Sequence, residues 1–263
     1  MYIHNLNPVL LDFGIIEIRW YSLAYIFGIL LGWWLGKKLL IFKIQSNNSI
    51  EIKIFDDLIS YLILGIIIGG RIGYVIFYNL GFYLKNPFDI FKIWEGGMSF
   101  HGALIGVILT TYYFCDKKRH SLFFLDIIAC VAPIGLFFGR ITNFINAELY
   151  GKPSDLFFAV IFPTVDNIPR HPSQLYEAFL EGIVLFVILI SIFYSKKIKT
   201  GTCSSLFLIF YGFFRMISEY FREPDIQVGY IFYQISMGSL LSFVMVLLGL
   251  TLFFKIKKND FNK

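Results

Sequence analysis

Residues Leu58 to Tyr83 read LISYLILGIIIGGRIGYVIFYNLGFY, and a single charged side chain, Arg71, interrupts the run. About 20 apolar residues in a helix are enough to cross the ~30 Å hydrocarbon core of a bilayer. A buried strand or an ordinary core helix needs far less. The rest of the chain agrees. Of 263 residues, 57% are hydrophobic and only 16% charged, aromatics reach 19%, and mean hydropathy is +0.69. A soluble domain carries about 25% charged residues. The polar surface is too small to cover a water-soluble globule, and disorder, collagen and coiled coil are excluded with it.

Six further stretches have the same character: Trp20–Phe42, Met98–Cys115, Ser121–Gly139, Leu175–Tyr194, Thr202–Phe221 and Phe232–Phe254. The expectation is an all-α integral membrane protein of seven transmembrane helices, a single polytopic domain over 1–263. Residues 1–19 suit an interfacial segment leading into the first span. Lys and Arg favour cytoplasmic loops. Fourteen of them lie on one set of connections (from Lys37 to Lys53, from Lys117 to Arg119, from Lys196 to Lys199, from Lys255 to Lys263), and seven on the other. This predicts an outer N-terminus and a cytoplasmic C-terminus. It also accounts for the net charge of +5 as topology rather than nucleic-acid binding. The 140–174 connection, with Pro153, Pro163, Pro169 and Pro172, reads as a small outer-face cap. There is no repeat, no low-complexity tract and no signal-peptide pattern. Cys115, Cys130 and Cys203 sit in apolar runs and read as buried small hydrophobes. No His pair has metal-ligand spacing, and no cofactor is expected.

Charged groups inside spans are costly and therefore point to function. Arg71 lies 13 residues beyond Leu58 and Arg215 lies 13 beyond Thr202, so both fall ~20 Å from the cytoplasmic end. His101 opens the third span, and Arg140 follows the fourth. Tyr211, Arg215, Glu219 and Arg222 recur at i, i+4, i+8 and i+11, within one stripe of the sixth helix. Gly65, Gly69, Gly70 and Gly73 allow close helix approach. The densest polar run, Gly139 to Gly151, holds Arg140, Asn143, Asn146 and Glu148. Ser173 reads as a helix N-cap, with Tyr176 and Glu177 in the first turn. Glu219 reads equally as a structural ion pair, Arg71 as a helix bridge or headgroup contact, and His101 as a satisfied core histidine. The residues alone thus reach an arginine-lined site for an anionic headgroup in the outer leaflet. They do not reach a reaction.

Four motifs go further: Gly-Arg-x-x-Asn-Phe-x-Asn-x-Glu-x-x-Gly at 139–151, Trp94 to Gly102, Arg170-His171-Pro172-Ser173-Gln174-Leu175-Tyr176-Glu177, and Phe214-Arg215 through Glu219 to Asp225. In this order they resemble the bacterial prolipoprotein diacylglyceryl transferases, from Trp20-Tyr21 to Ser236-Met237-Gly238. Thr142 and Ala103 depart from that family's commoner small residues. The resemblance implies transfer of the diacylglyceryl group of phosphatidylglycerol to the lipobox cysteine in a prolipoprotein signal peptide. A thioether forms, glycerol phosphate leaves, and the site faces the outer leaflet of the bacterial inner membrane. It implies Arg140 and Arg215 as the phosphate clamp, and His101 as the thiol's base or as a group that only orients lipid. Tyr21, Arg71, Asn143, Asn146, Glu148, Gly151, Tyr211, Glu219 and Arg222 then contact substrate or shape the clamp. A transporter would bind near the midplane between repeats, and a non-catalytic lipid binder would tolerate loss of His101.

Overall fold

The computed structural model describes residues 2–14, 17–44, 49–115, 118–195, 198–225, 228–233 and 235–258. Lys117, Lys196, Lys197 and Lys263, which enter the charge-bias argument, lie outside the described residues. Two short strands, β1 (Tyr2–Ile3) and β2 (Val9–Asp12), precede β3 (Glu17–Arg19), which hairpins with β2 and leads directly into α1 (Trp20–Ile44). Next come α2 (Ser49–Tyr78), the short α3 (Leu80–Lys85), two 3₁₀ turns (Pro87–Phe91 and Ile93–Glu95), α4 (Phe100–Phe114) and α5 (Lys118–Ile145). After β4 (Val160–Ile161) and β5 (Pro169–Arg170), one helical rod runs through α6 (Ser173–Glu177), a π-helical stretch (Ala178–Val184) and α7 (Leu185–Phe193). The chain closes with α8 (Thr202–Phe221), β6 (Tyr230–Phe232), β7 (Ile235–Ser236) and α9 (Met237–Lys258).

Among the described residues, five helices are long and apolar enough to cross a membrane: Trp20–Ile44, Ile50–Tyr78, His120–Ile145, Ser173–Phe193 and Met237–Lys258. The two remaining expected spans are helical but differ in kind. α4 has only 15 residues, and α8 carries Arg215 and Glu219. Two boundaries also move. α2 starts nine residues before Leu58, because Ser49 to Asp57 is amphipathic rather than apolar, and it stops at Tyr78, so Asn79 to Tyr83 leave the helix axis. α5 runs through Ile145, so Arg140 and Asn143 are helical and the cap begins only after it. An apolarity criterion ends a helix at its first charge; the backbone does not.

Packing is inverted relative to a soluble protein. Phe27, Leu30, Ile68, Ile72, Leu247 and Leu248 face outward, while polar groups are enclosed. One core cluster, including Leu39, Leu40, Phe55, Phe124, Ile127, Leu185, Leu189 and Phe207, fills the end of the bundle away from the cap. Cys130 and Cys203 are fully buried there and Cys115 nearly so, none of the three in a disulfide, as small hydrophobes should be. Asp126 of α5 crosses to cap α8. It accepts hydrogen bonds from Gly201 N (2.6 Å), Ser204 N (2.8 Å) and Ser204 Oγ (2.7 Å). The two backbone donors are orphaned amides of a helix start.

α2 and α4 meet along the anticipated glycines. A Cβ on Gly106 would stand 2.0 Å from Gly65 O, and one on Gly102 would stand 2.3 Å from Gly69 O. Above the helices, β1 pairs in parallel with β4, and β4 pairs antiparallel with β5. The interfacial segment is therefore stitched into the cap. His4 is buried there between Phe144 and Phe162, each ring centroid 5.3 Å away.

Two outcomes follow from this packing. Gly106→Ala is expected to lower the thermal midpoint of the detergent-purified protein sharply, whereas Gly81→Ala, which meets nothing within 4 Å, leaves it unchanged. Burial holds the His4 imidazole below its ordinary value of 6.5, opposed by a weaker backbone hydrogen bond with Phe144. A depressed histidine favours its neutral form in the fold, so the stabilisation is complete above that value and declines as pH falls below it. Protection of the amides of residues 2–4, taken relative to the intrinsic exchange rate at each pH, is expected to fall between pH 7.5 and pH 5, and His4→Phe should abolish the difference.

Candidate active site

Three arginines and three glutamates form one enclosed network. Arg140 of α5 sets Nη1 2.7 Å from Glu177 Oε2 and Nη2 3.2 Å from Glu181 Oε2. Arg215 of α8 reaches the other oxygens of the same carboxylates, with Nη1 2.7 Å from Glu177 Oε1 and 3.6 Å from Glu181 Oε1. Arg215 also pairs closely with Glu219, one turn further along α8. Glu219 in turn meets Arg222 at 3.1 Å and accepts a hydrogen bond from Ser236 Oγ at 2.7 Å. Arg222 ends on Asp225 at 2.7 Å. Glu177 and Glu181 have no exposed surface, and Arg215 and Arg140 retain 7% and 12%. The six charges balance, which is what allows them to be buried: an isolated ion in low dielectric costs many kcal/mol.

The stripe expected on the sixth span is present. Tyr211, Arg215, Glu219 and Arg222 are all buried. Tyr211 stacks between Phe100 (4.2 Å) and Phe207 (5.6 Å), its hydroxyl without a hydrogen-bond partner among the described residues. His101 follows the N-cap Ser99, whose Oγ accepts from Gly102 N. Its Nε2 lies 3.4 Å from Ser242 Oγ of α9, and Arg215, Glu219 and Arg140 are the charges in electrostatic reach.

Beside the network the chain turns sharply after α5. Ala147 (φ 56°) and Leu149 (φ 54°) occupy the left-handed region that non-glycine residues avoid. Glu148 between them receives Asn143 Nδ2 (3.2 Å) and Asn146 Nδ2 (3.3 Å) on its two oxygens. The turn is held from below, since Gln174 Nε2 donates to Glu148 O (2.6 Å) and Ser173 Oγ to Leu149 O (2.9 Å). Ser173 therefore braces this turn. The N-cap position expected for it belongs to Pro172. Gly151 is wedged between chains: a Cβ there would meet His171 O at 2.4 Å and Phe221 O at 2.8 Å. Tyr21 is half-buried on α1, and its hydroxyl accepts from Tyr25 at 3.4 Å.

Arg71 stands apart from this group. Its five N–H bonds all go to backbone carbonyls of the segment after α3. Nε donates to Ile90 O (2.8 Å), Nη1 to Gly96 O (2.5 Å) and Gly97 O (3.3 Å), and Nη2 to Asp89 O (2.6 Å) and Lys92 O (3.1 Å). A guanidinium has no further donor to offer. Of the two readings open to it, helix bridge or headgroup contact, this geometry supplies neither: Arg71 ties a loop to a helix.

Glu177 and Glu181 are the pair that sequence reasoning missed. Sequence patterning places Glu177 in the first turn of a helix and gives Glu181 no role. The signal was available, because they are the only charges between Leu175 and Tyr194 and stand four apart. The argument applied to intramembrane arginines holds for acids too.

Fold and site together define a multi-pass helical membrane protein with a buried arginine–carboxylate centre beside a small polar cap. The family model described as prolipoprotein diacylglyceryl transferase matches residues 8–255. Similar proteins include the phosphatidylglycerol–prolipoprotein diacylglyceryl transferases of Ehrlichia ruminantium, 50% identical over 94% of this chain and 95% of that one, and of Rickettsia felis, 52% identical over 93% and 95%. That of Rickettsia bellii is 49% identical over 98% of each. The chain belongs to the prolipoprotein diacylglyceryl transferase family.

The Arg71 geometry carries its own test. Arg71→Lys keeps the charge but loses the fork. It is expected to expose the 86–97 segment to limited proteolysis, and unchanged cleavage would show the carbonyl contacts to be dispensable.

Proposed function

We propose that this protein transfers the diacylglyceryl group of phosphatidylglycerol to the thiol of a prolipoprotein's lipobox cysteine, the first step of lipoprotein maturation. Family membership supports the reaction. The observation that carries the chemistry is the meeting of Arg140 and Arg215, from separate helices, over shared carboxylates. In the reaction the cysteine sulfur attacks the glyceryl carbon next to the phosphate. The carbon–oxygen bond breaks, its electron pair goes to the phosphate oxygen, and glycerol phosphate departs. Negative charge on that oxygen grows toward the transition state. Arginine donors fixed in advance stabilise it more than the ground state.

His101 accepts the thiol proton in this reading. A free thiol ionises near 8.5 and needs a base or a positive field to react at neutral pH. Tyr211 contacts the headgroup through its hydroxyl in this reading, and Tyr21 on α1 supplies a second polar contact. Asn143, Asn146, Glu148 and Gly151 shape the rim, while Glu219 and Arg222 extend the charged wall. Arg71 acts at one remove by holding the segment that enters α4.

The protein is read as a single polytopic unit in the bacterial inner membrane. α4 and α8 complete seven spans: α4 is shielded by its glycine seam with α2, and the charges of α8 are neutralised within the bundle. The lysine and arginine bias places the N-terminus and the site at the outer face.

Purified protein mixed with phosphatidylglycerol and a lipobox peptide is expected to yield the peptide plus one diacylglyceryl group by mass spectrometry, and no product with a Cys→Ser peptide. Arg140→Ala and Arg215→Ala should each abolish that product while the protein stays folded; near-normal turnover in either would sink the phosphate clamp. His101→Gln should change the pH profile, and an unchanged profile would remove His101 as base.

A further inference from the structure

We propose that Glu177 and Glu181 are positioning residues for the transfer, setting the spacing and aim of Arg140 and Arg215. The proposal rests on the clamp reading above. Two buried guanidinium groups on different helices repel each other, and something must hold them side by side. Glu177 does so with one carboxylate, giving Oε2 to Arg140 and Oε1 to Arg215, each at 2.7 Å. The separation of the two cations is thus set by the width of one carboxylate. Glu181 repeats the bridge one turn on, at 3.2 Å and 3.6 Å.

The helix is built for this placement. It turns π-helical over Ala178–Val184, the stretch that carries Glu181. Such bulges re-aim side chains and recur at functional sites. Gly182 lies so close to α5 that a Cβ would meet Phe137 Cβ at 2.7 Å, which presses the carboxylates toward Arg140. The same rod begins with Ser173 and Gln174, which brace the Glu148 turn. One helix therefore registers both arginines against the rim.

The charge balance gives a discriminating consequence. With both glutamates present the four-residue centre is neutral, so an anionic lipid is recognised by donor geometry rather than by net charge. Removing one carboxylate charge leaves a net cation. Attraction for the lipid rises while alignment in the transition state is lost. A purely structural role would not separate these effects.

Glu177→Gln and Glu181→Gln should be assayed for kcat and KM toward phosphatidylglycerol in mixed micelles, with thermal unfolding measured alongside. A fall in kcat of at least tenfold with KM unchanged or lower, and partial recovery in Glu177→Asp, is expected. A kcat within twofold of the parent, or a loss that merely tracks the folded fraction, overturns the proposal. If Glu177→Gln fails to fold, Glu181→Gln, whose ion pairs are longer, carries the same comparison. Arg140→Lys and Arg215→Lys run in parallel: full turnover there overturns the clamp and this proposal with it, whereas their loss beside unimpaired glutamate variants overturns this proposal alone.

Discussion

A guanidinium enclosed by apolar helices has no water to solvate it, and so must bring its counter-charge with it. In this bundle that requirement joins three separate helical elements. Arg140 comes from α5, Arg215 and Glu219 from α8, and Glu177 and Glu181 from the rod between them. Ser236 adds the start of α9, and Gly238 leaves room for it, because a Cβ there would lie 2.7 Å from Glu219 Oε1. Truncating one member of such a set leaves a buried charge unpaired, typically a loss of about 3–5 kcal/mol. The same bonds that hold the helices in register leave the arginine edges in fixed directions, so assembly and preorganisation have one cause.

Backbone groups impose the second constraint. The segment between α3 and α4 forms only short 3₁₀ turns, and its carbonyls need donors. Arg71 provides five at once, while Ser99 N bonds Gly70 O at 2.9 Å. His101 enters its helix two residues later. The start of α4 is thereby fixed twice, by the α2 knot and by the glycine seam below it. The turn around Glu148 follows similar logic. Two left-handed residues are tolerated because Gln174 and Ser173 engage the carbonyls of Glu148 and Leu149.

Much of this was legible in the residues. Helices in all seven stretches, the glycine seam, the charged stripe of α8 and the buried cysteines follow from hydropathy and periodicity, which are local. Arg140 and Arg215 announced themselves by being charged in or beside apolar spans, where charge is costly. What escaped was non-local. No spacing rule says that Asp126 caps a helix 75 residues on, that Arg71 gathers carbonyls, or that the Ser173 hydroxyl braces a turn instead of capping its own helix. Glu177 and Glu181 are a different case: their cost in an apolar helix was visible, but their partners lie on other helices, so no local pattern named them. Helix ends moved for the same reason, since α5 continues past Arg140 once a carboxylate compensates it.

The parallel pairing of Tyr2 with Val160 and Ile3 with Ile161 has a meaning for biogenesis. These partners are 158 positions apart along the chain. At about 5–20 residues per second, the first strand waits on the order of 8–30 s for its neighbour to be made. The cap is then a late structure, closed only after the first helices have been synthesised. Its completion buries His4 against Phe144, at the end of the helix that bears Arg140. Residues made early thus act as the latch on a surface made much later.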